Sequence, residues 1–212
     1  KQSTIDTTLQ TKVDSILQNK MSEIGAISGQ AIVMEVQTGE IKAMVGNGIS
    51  QESGLIRTAS LLAALETGKV KLSDTIDVGE GVYMVHNREL LDHNWHRGGY
   101  GKLTTLQGLM VNSHIANYKN IERAFTEEQA YFDMLNKMCY GQPENIEGLD
   151  SLKAAYFVTP NDSGWNNTSL AWFCIGYNQR ISPIQMLTFY NAIANDGKMV
   201  KPTLYKGKTE II

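Results

Sequence analysis

Residues 31–46, AIVMEVQTGEIKAMVG, are two β-type runs joined around Thr38-Gly39. Two such runs about a turn pair read as an antiparallel hairpin, and this hairpin limits the fold more than any other stretch. Helical patterns flank it. Thr8 to Met21 carries Leu9, Val13, Ile16, Leu17 and Met21 at helical spacing, and Gly25 to Gly29 breaks the pattern. Thr58 to Glu66 is helical by composition, with Gly68 placed to cap its C-terminus. A helix, a hairpin, several helices and then more extended chain predict an α+β fold rather than alternating βαβ units.

The rest of the chain fills in that outline. Asp74–Val78 and Gly81–Val85 read as short strands or extended arms, and Gly98–Gly101 as a loop. Thr104 and Gln107 form a capping-box pattern opening a helix that runs to about Arg123. Thr126 to Gln129 repeats that signature before a helix ending near Cys139. Residues 142–168 read as irregular. Ser182-Pro183-Ile184-Gln185 is the cleanest helix start, with a capping Ser, Pro in the first turn and Gln at the box position. Met186, Phe189, Tyr190 and Ile193 follow at helical spacing, and Asn195-Asp196-Gly197 ends the helix.

Composition narrows the function classes. The 212 residues are 42% hydrophobic, enough for one domain with a real core. A net charge of -3 gives no general attraction to nucleic acid or an anionic membrane. Tyr and Trp are not interleaved with basic residues, which also argues against nucleic acid as a partner. No apolar run reaches the roughly 18 residues of a membrane span, and the N-terminus does not read as a signal peptide. Cys139 and Cys174 form no C-x-x-C pattern and read as two buried free thiols.

Four chemistries can be weighed on the residues. His93 and His96, beside Asp92, suggest a metal hydrolase, but they lie among loop-type Asn, Trp and Arg neighbours without an H-E-x-x-H helix. The glycines at 98–101 lack the G-K-[ST] ending of a phosphate cradle, and no carboxylate pair stands out for acid–base work. No cofactor is expected. The fourth chemistry is acyl transfer by a serine at the first turn of a helix, where the dipole and free amides favour an oxyanion and a Lys one turn on takes the proton. QESGLIRTASLLAALETG, residues 51–68, has that architecture: a polar loop entering a small-residue apolar helix.

At this point the sequence resembles a family. STIDTTLQ, AIVMEVQTGEIKAMV, TASLLAALETGKVKLSDTIDVGEG, GGYGKLTTLQGLMVNSHIAN and IGYNQRISPIQMLTFYNAIANDGKMVKP are similar, in order and over nearly the whole chain, to the transpeptidase domain of class B penicillin-binding proteins, particularly the cell-division type of Bacteroidetes-like bacteria. The resemblance implies a penicillin-recognising α+β fold, an antiparallel sheet flanked by helices plus a helical lobe. It implies one domain over 1–212, the sheet-and-helix part about 1–68 and 170–212 and the mainly helical lobe about 69–169, in a trimmed or fragmentary version. It also implies a role in peptidoglycan synthesis, with a stem peptide or β-lactam as ligand and cell-wall or cell-division proteins as partners. The domain would lie on the periplasmic face of the cytoplasmic membrane, held by an anchor upstream of Lys1.

The family's motifs are altered. Members read E-P-G-S-x-x-K at the helix start. Counted back from Thr58, the Ser position is Gly54 and the Lys position is Arg57; with a one-residue deletion, Glu52-Ser53-Gly54 matches E-P-G and the nucleophile is missing. The S-x-N motif falls on Asn112-Ser113-His114, so Asn112 and His114 stand where Ser and Asn belong. Lys208-Thr209-Glu210 matches K-T-G only superficially, and without that strand a sheet edge is left to be covered or paired. Only Gly46 to Ser53 fills a segment that is usually longer. The expected function is a transpeptidase-like domain without catalysis; the alternative is an active serine D,D-transpeptidase whose Ser and Lys come from residues outside this sequence.

Overall fold

The computed structural model describes residues 1–48 and 51–212, in two compact units. The first comprises Lys1–Gln51, Cys139–Tyr156 and Arg180–Ile212; the second comprises Glu52–Met138 and Phe157–Gln179. Ile49 and Ser50, within the short segment before the expected nucleophile, lie outside the described residues.

The first unit is built on the hairpin. β1 (Gln30–Met34) pairs antiparallel with β2 (Ile41–Gly46), with a register shift at Val33/Met34. Helix α1 (Thr7–Ile24) starts where the Leu9 N–H donates to the Asp6 carboxylate at 3.0 Å, and stops at Gly25 in the left-handed conformation. It packs on the hairpin so closely that a Cβ at Gly46 would lie 2.7 Å from the Leu17 side chain, as well as 2.2 Å from the Gly29 carbonyl, at a φ of +93° that only glycine adopts readily. The outer edge of β2 is covered: the Gln10 carboxamide bonds both the N–H and the C=O of Met44 at 2.8 Å, and the Asp6 N–H donates to the Lys42 carbonyl.

The last long helix of this unit (Pro183–Ala194) begins with the expected capping box. Gln185, fully buried, also donates to the carbonyls of Pro143 (2.9 Å) and Lys153 (3.0 Å), so it ties down the irregular segment 143–153. Ile41, Ile146 and Ile184 form the centre of the core, with Ile32, Met44 and Leu152 packed against them.

The second unit contains α2 (Ile56–Glu66), whose buried Ala59, Ala63 and Ala64 permit close approach of its neighbours. Two antiparallel pairs follow: β3 (Thr75–Gly79) with β6 (Gly101–Thr104), and β4 (Val82–Val85) with β5 (Arg88–Leu91). Then come α3 (Thr105–Met110), α4 (His114–Ala124) and α5 (Glu128–Lys137). In chain order β7 (Tyr156–Phe157) and β8 (Gln179–Arg180) come before and after α6 (Ser169–Phe173), and Pro183–Ala194 is α7. Tyr131 sits at the centre of an aromatic core with Phe125, Phe132 and Phe173, all at edge-on ring geometry.

Four details differ from the sequence reading. The helix expected from residue 104 to about 123 is two helices, broken at Val111–Ser113 where Asn112 has φ +55°. Thr126 makes no capping box: Glu127 is the N-cap residue of α5, and its side chain makes no capping bond. Gly101 opens strand β6 rather than closing a loop. Cys139 is only half-buried; Cys174 is fully buried, and both are free thiols.

Candidate functional site

The start of α2 is wound in upon itself. The Leu55 N–H donates to the Ser53 hydroxyl (3.3 Å), the Ile56 N–H to the Ser53 carbonyl (3.3 Å) and the Arg57 N–H to the Gly54 carbonyl (3.2 Å). Three amides of the kind that hold an oxyanion therefore already have acceptors. Gly54 is exposed, just ahead of the helix; Arg57 is half-buried in its first turn. The loop is held from behind by Gly176, where a Cβ would lie 2.7 Å from the Ser53 carbonyl. The Ser53 N–H donates to the Gly176 carbonyl and the Asn178 N–H to the Glu52 carboxylate, both at 3.3 Å.

The α3–α4 junction is built by a buried carboxylate. Asp92, fully buried, accepts from the Ser113 hydroxyl at 2.8 Å and from the Ile115 N–H at 3.1 Å. Ser113 in turn accepts from the Ala116 N–H at 3.0 Å as the N-cap of α4. A negative charge at this helix N-terminus is stabilised by the dipole and by the free first-turn amides. Gly108 lets α3 and α4 touch: a Cβ there would lie 2.7 Å from the Ala116 methyl.

Arg57, Asn112 and Ser113 line one crevice, together with Thr105, Asn117 and Asn120. The positions matching the S-x-x-K lysine and two residues of S-x-N thus come together; Gly54 and His114 are not part of the lining. The crevice holds only about 10 Å³, room for about one water and not for a substrate. The sequence reading did not reach Thr105, Asn117 or Asn120, which carry no local signal; Ser113 did carry one, as an N-cap hidden inside an apparently continuous helix.

His114, the first residue of α4, has its pKa lowered. Burial is the main cause; His93 and Arg57 push in the same direction, against the Asp92 carboxylate and the Leu91 backbone. A folded-state value below the unfolded one, about 6.5, means that the unfolded chain binds more protons as the pH falls. This contribution to stability is therefore complete above about pH 6.5 and is lost as the pH falls through the folded-state value. His114→Gln should flatten that acid limb in urea titrations at a series of pH values; an unchanged limb assigns it elsewhere.

The metal reading is not built. Asp92 is committed to Ser113 and Ile115. His93 Nε2 lies 2.6 Å from the Tyr100 hydroxyl and 3.1 Å from the Val111 carbonyl, and His96 packs edge-on to Trp95. Among the described residues no three His, Cys, Asp or Glu side chains converge on a metal-sized point. Lys208, Thr209 and Glu210 belong to the first unit, exposed and outside the named strands; the Glu210 carbonyl accepts from the Lys201 N–H at 2.8 Å.

PbpB, a penicillin-binding protein of Mycolicibacterium smegmatis, is 24% identical over 234 residues, covering 97% of this chain and 34% of the relative. The peptidoglycan D,D-transpeptidase FtsI of Escherichia coli K12 is 24% identical over 215 residues, covering 91% of this chain and 35% of the relative. The chain thus spans about a third of the length of these curated relatives. In fold it is similar to a peptidoglycan glycosyltransferase from Burkholderia ambifaria, with a TM-score of 0.85 at 22% identity, covering all of this chain and 67% of that one. Residues 29–210 match the penicillin binding protein transpeptidase domain. With that match across most of its length and an α+β fold of the same kind, the chain belongs to the penicillin-binding protein transpeptidase family.

Proposed function

We propose that this chain is a single transpeptidase-type domain of peptidoglycan synthesis whose acyl-enzyme chemistry is retired, and which acts by docking a partner or a stem peptide. The observation that carries the reading is Arg57 in the first turn of α2, with Gly54 one turn ahead of it. An acyl-enzyme needs a hydroxyl that attacks and a base that accepts its proton. Gly54 has no hydroxyl, and an arginine stays protonated in a protein.

Among the described residues no neighbouring group takes over. Ser53 precedes the helix with its hydroxyl engaged by the Leu55 N–H. Ser60 is buried, donating to the Cys174 carbonyl at 2.9 Å and lying 2.8 Å from the Tyr131 hydroxyl. Ser113 is buried and holds Asp92. Burial pushes the Cys174 thiol well up, away from the reactive thiolate. By kinship with FtsI and PbpB, the reading extends to cell division and to the periplasmic face of the cytoplasmic membrane. Fluorescent penicillin incubated with the folded chain should leave no labelled band on a denaturing gel; a band resistant to denaturation overturns the loss of catalysis.

A further inference from the structure

A buried hydroxyl gives the Arg57 crevice a further use. Thr105 is 1% exposed, and its Oγ1 makes no hydrogen bond among the described residues. Buried hydroxyls are nearly always paired, so an unpaired one marks the place of a small partner. Thr105 lines the crevice between α2, α3 and α4, together with Arg57, Asn112, Ser113, Asn117 and Asn120.

Size limits the partner first. About 10 Å³ is the room of one water, so a carboxylate, a phosphate or a stretch of polypeptide does not enter. A water molecule and a monatomic ion are left. The chemistry of the lining separates them. Among the described residues that line the crevice Arg57 alone is charged, and none is a carboxylate. The nearby Asp92 carboxylate is taken by the Ser113 hydroxyl and the Ile115 N–H. An arginine only donates, the Thr105 hydroxyl has a proton to give, and a carboxamide has two N–H groups. Asn117 gives one of its two to the Cys174 carbonyl at 2.7 Å, and Asn120 is 5% exposed. A water needs acceptors for its own two protons as well as donors. A monatomic anion needs donors alone, and its bonds to a guanidinium are charge-assisted.

We propose that this crevice binds one halide ion, of chloride or bromide size, held by the Arg57 guanidinium, the Thr105 hydroxyl and the Asn120 carboxamide. The ion ties α2 to α3 and α4 and makes the stability of the second unit depend on chloride. The proposal rests neither on the docking role nor on the loss of catalysis, which penicillin labelling tests separately.

The test compares thermal midpoints of the 212-residue chain in sodium chloride and in sodium gluconate at equal ionic strength, gluconate being too large for the crevice. An ion that binds only the folded state raises the midpoint, by at least about 2 °C at chloride well above its dissociation constant. Thr105→Val removes the hydroxyl at nearly constant volume and leaves the net charge unchanged. It should abolish most of the difference between the salts, as should Arg57→Gln. In crystals soaked in bromide, an anomalous peak should lie within hydrogen-bond distance of Thr105 Oγ1. Equal midpoints in the two salts overturn the proposal, as does a chloride effect that Thr105→Val retains. Density in the crevice without an anomalous signal is a water, and also overturns it. Where a variant does not fold, the bromide peak decides alone: its presence supports the ion and its absence refutes it.

Discussion

Asp92→Ala is expected to lower the unfolding free energy by about 2–4 kcal/mol in urea denaturation. The carboxylate is fully buried and accepts two hydrogen bonds, from the Ser113 hydroxyl and the Ile115 N–H. Alanine leaves both donors without that partner, and removes a charge favoured by the α4 N-terminus. Asp92→Asn keeps an acceptor for the Ile115 N–H and should lose about half as much. Amide exchange should quicken around residues 113–116 in the alanine variant. A loss below about 1 kcal/mol would mean that Asp92 does not build the α3–α4 junction.

Tyr131→Ala should be the costliest truncation in the second unit, about 3–5 kcal/mol. The ring is fully buried and meets Phe125, Phe132 and Phe173 edge-on, at centroid separations of 5.8, 5.3 and 6.1 Å. Its removal leaves a cavity that three stiff rings cannot collapse into. Tyr131→Phe keeps the packing and loses the contact with Ser60, whose own proton remains on the Cys174 carbonyl. That variant should cost about 1 kcal/mol. Equal losses for the two substitutions would shift the weight from ring packing to the hydroxyl.

Features written in short-range chemistry were legible in the sequence. The hairpin about Thr38-Gly39 forms as expected, and the boxes at Thr104/Gln107 and Ser182/Gln185 form because both partners lie within one turn. The order of segments along the chain was enough to indicate the family and the α+β class.

What was illegible depends on distant partners. Leu106, Leu109 and Ala116 continue a helical apolar pattern across Asn112, so nothing local marks the break. The break is held by Asp92, which lies 21 residues before Ser113. Thr126 failed as a cap because Glu127, with φ −106° and ψ 123°, is the residue at the helix boundary. At the candidate site, the places of Gly54 and Arg57 around a helix start could be read directly. Their neighbourhood could not: Thr105, Asn117 and Asn120 reach the Arg57 crevice only through the packing of α2, α3 and α4.

The proposal that this family fold has lost its acylating residue is tested most directly by intact-mass spectrometry. The folded chain, incubated with excess benzylpenicillin and then denatured, should show only its unmodified mass, alongside an active penicillin-binding protein that gains one penicilloyl group. A stoichiometric gain of one penicilloyl group on this chain would contradict the account and show a working nucleophile in it.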